Sequence, residues 1–406
     1  MLFSPRRKSP WYKLGAPPQT PPKGWRPLET LSFYFSKTKP TGFVLEKKKT
    51  GFHKDEVLWL GLGRSPNFRN DLFHLGQKLI EKESRGLLVF YPFSLLWAFV
   101  AFCKNWLYDR AVFSSKRVFR PVISIGNIVA GGTGKTPLTQ LLASCFAQRN
   151  VAILSRGFGL QGALLDEPAL LARRCPSARV YVGKDRRESA KRAVQEGAEL
   201  LLLDDGFQHR RLFRDIDIVL VSAEKPFSNR RYLPCGYLRD QPKRLNEADL
   251  VCVNPIYSEE QLSKWQKTFG VLTPLVGVHL AVSRLVPDMS LYQVPVAFFC
   301  GIARPRSFRK VVIDLGAVIV SEWILGDHQG VSAQKLQEFS CYAKSLGAKV
   351  LVCTEKDAVK LPDSLKLSLP LVYPEMSMQM AAGLENWQNI VDKIGEKIDN
   401  YRIYGK

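Results

Sequence analysis

Residues 122–136 read Val-Ile-Ser-Ile-Gly-Asn-Ile-Val-Ala-Gly-Gly-Thr-Gly-Lys-Thr, a β-branched run that passes into a glycine-rich loop ending Gly134-Lys135-Thr136. Leu138 to Phe146 then offers an apolar, helix-permissive stretch. Strand, loop and helix in this order are what a phosphate-binding loop requires. Gly131, Gly132, Thr133 and Gly134 would turn backbone N–H groups onto phosphate oxygens, and the helix N-terminus adds the positive end of its dipole. Lys135 would reach the terminal phosphates, and the Thr136 hydroxyl would bind Mg²⁺. The usual spacing has a glycine where Val129 stands. The competing reading is a tight glycine turn in a Rossmann-like unit, but turn chemistry alone does not ask for Gly-Lys-Thr.

Leu200 to Leu203 run into Asp204-Asp205-Gly206. A buried strand ending in carboxylates can hold Mg²⁺ beside a phosphate loop, directly or through water. Alone, Asp-Asp-Gly is equally a turn. Three further segments have chemistry to offer and a plainer reading beside it. Asp166-Glu167-Pro168 reads first as a helix N-cap and first turn. His328, in Gly-Asp-His-Gln, is an ordinary structural histidine unless a cleft lets it orient or take a proton. Thr354-Glu355-Lys356-Asp357 is a capping arrangement.

The elements that must position these residues follow an alternating pattern. Strand-like runs occur at 121–126, 151–155, 178–182, 199–203, 216–222 and 249–253, with helix-like stretches such as 136–149 and 184–197 between them. Alternation of this kind predicts a doubly wound, mostly parallel sheet. A second series starts near Val294 and continues through 316–324, a helix near 332–345 and a strand at 349–353, which predicts a second, smaller α/β domain. The expected division is a basic, Pro-rich extension at 1–70, a membrane-associated helix with the phosphate-loop domain at 71–275, and the second domain at 276–406.

Charge supports that division. The chain has 406 residues and a net charge of +22, yet residues 1–70 hold 14 Lys and Arg against 4 Asp and Glu. That segment also carries nine prolines and Lys47-Lys48-Lys49, the composition of a loosely ordered appendage. It has no apolar core of a signal peptide. Eight cysteines without a Cys-x-x-Cys pair suit a reducing compartment better than disulfides or a metal site. Leu87 to Cys103 is uncharged and rich in aromatics, and Lys82, Arg85, Lys104, Arg110, Lys116, Arg117 and Arg120 flank it. It is short for a spanning helix. It fits a helix lying at an anionic membrane surface, with an ordinary buried helix as the alternative.

Taken together these segments resemble the tetraacyldisaccharide 4′-kinase (lipid A 4′-kinase) family over roughly residues 85–365. The resemblance rests on the 124–137 loop, Leu-Ser-Arg-Gly-Phe (154–158), Asp-Glu-Pro (166–168), Asp-Asp-Gly-Phe-Gln-His-Arg (204–210), Leu-Pro-Cys-Gly-Tyr-Leu-Arg (233–239), Gly-Asp-His (326–328) and Thr-Glu-Lys-Asp-Ala-Val-Lys (354–360). The family's loop also lacks the first glycine. The resemblance implies two α/β domains with the active site between them, at the cytoplasmic face of the bacterial inner membrane. It implies ATP and Mg²⁺, and an acylated glucosamine disaccharide 1-phosphate as substrate. The basic extension also suggests a nucleic-acid-binding NTPase, but its aromatics are not spaced as a stacking platform and a helicase-like motif is absent, so no nucleic-acid partner is expected. By resemblance Asp166 is the base and His328 its partner. Arg156, Arg186 and Arg239 serve the phosphates with Lys135 and Thr136. Asp204, Asp205 and Asp240 join Thr136 at the metal. Leu165 stands where the family usually has Gly, and Asp240 where it usually has Glu. A P-loop GTPase or regulatory NTPase is the alternative, but an Asn-Lys-x-Asp guanine signature is absent, Thr354 to Asp357 being the nearest approach.

Overall fold

The structure is a computed structural model. It describes residues 90–157, 166–302, 304–326, 330–362 and 365–403, with the backbone alone at 43–44, 59–60, 166, 402 and 403. Residues 1–69 form a unit of their own, in which β1 (Phe43–Val44) pairs antiparallel with β2 (Trp59–Leu60).

Helix α1 spans Tyr91–Asp109. The first α/β half follows as β3 (Val122–Gly126), α2 (Lys135–Cys145), β4 (Val151–Ser155), α3 (Asp166–Arg174), β5 (Ala178–Val182), α4 (Arg186–Gln195), β6 (Leu200–Asp204), β7 (Ile216–Ser222) and β8 (Leu250–Asn254). Every residue of β3, β4 and β6 is buried. Runs apolar on both faces are what a parallel sheet covered by helices demands. The order is β5-β4-β6-β3-β7-β8, all parallel, with β3 at the centre between β6 and β7. The phosphate-type loop therefore leaves the carboxyl end of a central strand, where open α/β sheets bind ligands.

After α5 (Glu259–Phe269) come β9 (Leu275–Val286), β10 (Pro295–Cys300), α6 (Pro305–Asp314), β11 (Val318–Ile324), α7 (Ala333–Ser345), β12 (Val350–Cys353), α8 (Glu355–Ala358), β13 (Leu371–Ala382) and α9 (Leu384–Ile403). The second half is a parallel set, β11-β10-β12-β13. The halves meet in one antiparallel ribbon of two twelve-residue strands, β9 and β13, with Tyr373 opposite Val286 and Ala382 opposite Gly277. β8 pairs only with Leu275–Gly277 at one end of the ribbon, and β12 only with Leu371–Val372 at the other. The boundary expected at 275/276 falls at the start of this ribbon. α9 then returns to the first half, where Trp387, Ile390, Ile394 and Ile398 pack with Ile123, Leu138 and Val276.

Helix α1 is inverted relative to an ordinary surface helix. Its buried residues are polar, Ser94 (4% exposed) and Asn105 (5%), while Phe93 (61%), Leu95, Leu96, Trp97, Phe99 (64%), Val100 and Phe102 face outward. Ser94 Oγ donates to the Tyr232 carbonyl at 2.7 Å. Among the described residues no helix is long and apolar enough to cross a membrane.

Gly126 closes β3 directly against Phe207, which is fully buried. A Cβ at Gly126 would lie 2.5 Å from Phe207 Cβ and 2.8 Å from its backbone nitrogen. Neither atom is the end of a flexible chain, so the strand and the 205–207 turn would have to separate. Gly126→Ala is expected to lower stability by about 1–3 kcal/mol, as overpacking typically does. Urea denaturation checks this; an unchanged midpoint at unchanged slope would contradict the close approach.

Candidate active site

The loop between β3 and α2 is stitched to its surroundings along its flanks. Asn127 Nδ2 donates to Thr133 Oγ1 at 3.2 Å, and Asn254 Nδ2 donates to the Thr133 carbonyl at 3.0 Å. Gln208 Nε2 donates to the Asn127 carbonyl at 2.7 Å. Ala130 N donates to the Tyr237 carbonyl at 2.7 Å, and Arg239 N to the Ile128 carbonyl at 2.9 Å. Gly134 caps α2 at φ +102°, a left-handed conformation for which glycine is suited. Gly131 has φ +117°, and a Cβ at Gly131 or Gly132 would meet nothing within 4 Å. The loop is thus fixed at its edges and open over its glycines.

Next to it, β6 delivers the two aspartates. Asp205, at φ +51°, receives two cationic side chains. Lys135 Nζ lies 3.5 Å from its Oδ1. The Arg239 guanidinium grips both its oxygens at 2.9–3.0 Å. Burial alone would push its pKa up, but Lys135 and Arg239 outweigh that and hold the carboxyl well below the usual range. Asp204 is its opposite. It is 6% exposed, its Oδ1 has no hydrogen-bond partner, and burial raises its pKa from 3.8 to about 6 despite Lys135.

Further bases border the same strand end, of which Arg186 is buried and His209 half-buried. Arg186, in the first turn of α4, donates from Nη2 to the Asp204 carbonyl at 3.4 Å, and its Nε is without a partner. Arg156 follows β4 closely enough that its charge bears on Arg186. His209, whose Nε2 is also unpartnered, is lowered to about 4 by burial and then by Arg186. Lys135, Thr136, Asp204, Asp205, Arg156, Arg186 and Arg239 are therefore gathered at the carboxyl ends of β3, β4 and β6 and the segments tied to them.

Asp166 opens α3, whose first turn lies near the same point: the Glu167 carboxylate is among the charges that raise Asp204. The helix is clasped by the second half. Glu167 pairs with Lys356 at 3.1 Å. The Arg174 guanidinium binds both oxygens of Glu355 and reaches Glu375 at 2.9 Å. Glu355 opens α8, which Thr354 caps by accepting from Asp357 N at 3.2 Å. His328 lies outside the described residues. It belongs to the segment after β11, whose end is tied to β10 through Leu325 N and the Cys300 carbonyl at 2.9 Å.

Asp240 is not brought into the acidic pair. Its carboxylate is engaged by Asn105 and Arg244. Among the described residues no group of three or more His, Cys, Asp or Glu converges as a metal cage. The residues that sequence reasoning missed are Asn127, Gln208 and Asn254, which fix the loop, and Arg174 with Glu355 and Glu375, which fix α3. Asn127 and Gln208 sit inside the two distinctive motifs and were open to being found. The Arg174 clasp joins positions about 180 and 200 apart and leaves no local signal.

The chain matches the family model described as tetraacyldisaccharide-1-P 4′-kinase, LpxK, over residues 87–394. It is 36% identical over 328 residues to the tetraacyldisaccharide 4′-kinase of Syntrophus aciditrophicus, spanning 71% of this chain and 88% of that protein. It is 33% identical over 337 residues to the enzyme of that name from Chlamydia abortus, spanning 75% and 89%. The crystal structure of LpxK from Aquifex aeolicus in complex with ATP superposes with a TM-score of 0.62 at 26% identity, covering 76% of this chain and 99% of that one.

Asp204 carries a pH signature. Its folded pKa lies above the unfolded one, so the ionised carboxyl costs stability above about pH 6 and nothing below the unfolded value. Two units correspond to about 3 kcal/mol. Asp204→Asn is expected to raise the stability of the ligand-free protein by up to about this amount at pH 8, and the gain should vanish by pH 4. Denaturant melts at the two pH values measure it; a variant destabilised at pH 8 would refute the buried, unsatisfied carboxylate.

Proposed function

The chain belongs to the tetraacyldisaccharide-1-P 4′-kinase family and is a kinase, and from that premise we propose how its residues move the γ-phosphate of ATP to the 4′-hydroxyl of an acylated glucosamine disaccharide 1-phosphate. The observation that carries the proposal is the junction at Asp205, where Lys135 of the loop and Arg239 meet one carboxylate beside the unsatisfied Asp204. Phosphoryl transfer needs positioning and charge neutralisation more than covalent chemistry. Backbone N–H groups over Gly131 to Gly134 receive the phosphates. Lys135 reaches the β- and γ-phosphates, and Arg156, Arg186 and Arg239 surround the transferred group.

An orphaned buried carboxylate oxygen that feels the charge of Lys135 fits a hard divalent cation. Thr136 and Asp204 would hold Mg²⁺, and the ion would supply neutralisation of the charge on the transferred phosphate. Asp205 holds Lys135 and Arg239 in register. Asp166, at the start of α3, takes the proton from the sugar hydroxyl, whose own pKa is far too high to lose it unaided, and His328 orients that carboxylate or relays the proton. The two halves, 71–275 and 276–406, form the cleft: the first carries ATP, and the second holds α3 over it through Arg174. The GTPase alternative gains no support, since Thr354 to Asp357 is spent on capping α8 and holding Arg174.

The substrate's acyl chains leave a bilayer at a cost of about 0.8 kcal/mol per CH₂, so the enzyme goes to the membrane. The outward apolar face of α1, between Lys104, Arg110 and the basic residues that follow, supports a peripheral position on the cytoplasmic face of the inner membrane.

Two measurements test this reading. Lys135→Ala is expected to lower turnover at saturating ATP by at least about a hundredfold, or about 2.7 kcal/mol, because its contact strengthens in the transition state. Near-normal turnover with ATP, Mg²⁺ and disaccharide 1-phosphate in detergent would remove the loop from the mechanism. Polar replacement of Trp97 and Phe99 should release the protein from anionic vesicles while a water-soluble short-chain substrate is still phosphorylated. Unchanged vesicle binding would place the membrane contact elsewhere.

A further inference from the structure

Asp240 stands where a carboxylate was expected to serve the metal, and its partners argue for another duty. Oδ1 accepts from Asn105 Nδ2 at 2.8 Å and from Gln241 N at 2.9 Å. Oδ2 accepts from Arg244 Nη1 at 2.7 Å, and the same Nη1 donates to Asn105 Oδ1 at 3.2 Å. The three side chains close a triangle, with Asn105, Asp240 and Arg244 all buried. A divalent cation binding here would have to displace a buried guanidinium from its buried partner, leaving it only the half-exposed Glu247 carboxylate that its Nε reaches at 2.9 Å, which is unfavourable. The guanidinium would also repel the ion.

The triangle joins two parts of the molecule that function separately. Asn105 belongs to α1, on the face opposite its exposed apolar side chains. Asp240 N donates to the Ile128 carbonyl of the phosphate loop at 3.4 Å, beside Arg239 N at 2.9 Å. Arg239 in turn grips Asp205. A parallel strut runs from Lys104 Nζ to the Gln208 carbonyl at 3.1 Å, and from Gln208 Nε2 to the Asn127 carbonyl at 2.7 Å. Both struts begin one residue apart on α1 and end on the first two residues of the loop.

We propose that Asp240 is a positioning residue rather than a metal ligand, and that with Asn105 and Arg244 it locks the outward-apolar helix α1 to the phosphate-binding loop. The proposal rests on the reading of that loop as the nucleotide site. It makes α1 part of the catalytic scaffold as well as a surface for lipid.

The full-length protein in detergent, with ATP, Mg²⁺ and a short-chain disaccharide 1-phosphate, provides the test. Asp240→Asn removes the ion pair, and kcat should fall at least tenfold with the Mg²⁺ concentration for half-maximal rate unchanged. The reciprocal pair Asn105→Asp with Asp240→Asn keeps one carboxylate beside Arg244 and should restore most of kcat and the melting temperature. Asn105→Ala leaves Asp240 in place; it should still lower kcat, with vesicle binding retained. A several-fold rise in the Mg²⁺ requirement of Asp240→Asn, an exchange variant no better than the single one, or an Asn105→Ala enzyme with wild-type kcat would each overturn the proposal. Failure of the nucleotide-site reading is seen separately, in Lys135→Ala retaining turnover, while the melting temperatures still report on the lock.

Discussion

One carboxylate organises the site. Asp205 sits in a left-handed backbone conformation at the end of β6 and receives Lys135 from the loop after β3 and Arg239 from the segment that runs beside the loop. Three stretches of chain that are remote in sequence are brought to one pair of oxygens. The neighbouring Asp204 points into the protein with an oxygen unsatisfied, so two adjacent aspartates have opposite electrostatic fates. Such divergence between adjacent groups is characteristic of functional sites, where one group is held ionised and its neighbour is strained toward a missing partner.

The second constraint is mechanical. Within the sheet, among the described residues, the two α/β halves join through two strands, and each half grips a different end of that ribbon. A two-stranded link has little stiffness of its own. The cross-half contacts at α3 are therefore significant. Arg174 holds Glu355 and Glu375, both in the second half, while α3 itself connects β4 to β5 in the first. The position of α3, whose Glu167 bears on Asp204, thus depends on charges from the other half, so relative motion of the halves would move the start of the helix.

Much of this was legible along the chain. The strand runs at 121–126, 151–155, 178–182 and 216–222 match β3, β4, β5 and β7 within one residue, because buried parallel strands are continuous apolar runs. Glycine-rich and acidic strand ends announced the loop and the aspartates. The ribbon was not legible. Leu275–Val286 and Leu371–Ala382 mix His, Ser, Arg, Glu and Gln with apolar residues, and their burial changes along their length because each packs differently on the two halves. The duty of Asp240 was also hidden, since a motif position specifies a residue type and not the neighbours it meets. Asn105 and Arg244 are drawn to it from a helix and from a short 3₁₀ turn at Pro242–Glu247.

Helix α1 shows why amphipathicity must be read with its direction. Its composition predicts a membrane-surface or a core helix equally well, and burial speaks only to the second. A core helix would bury Phe93 and Phe99 and expose Asn105; here the reverse holds. The few polar positions cannot provide much hydrophobic stabilisation, so the helix is held by hydrogen bonds to Tyr232, Asp240, Gln208 and Arg210. Hydrogen bonds to charged groups are stronger than neutral ones and strongly directional, and they fix rotation about the helix axis in a way that apolar contacts do not. The apolar face is thereby aimed in one direction relative to the phosphate loop. With α1 on a membrane, as proposed above, that orientation would govern where a headgroup hydroxyl meets the γ-phosphate.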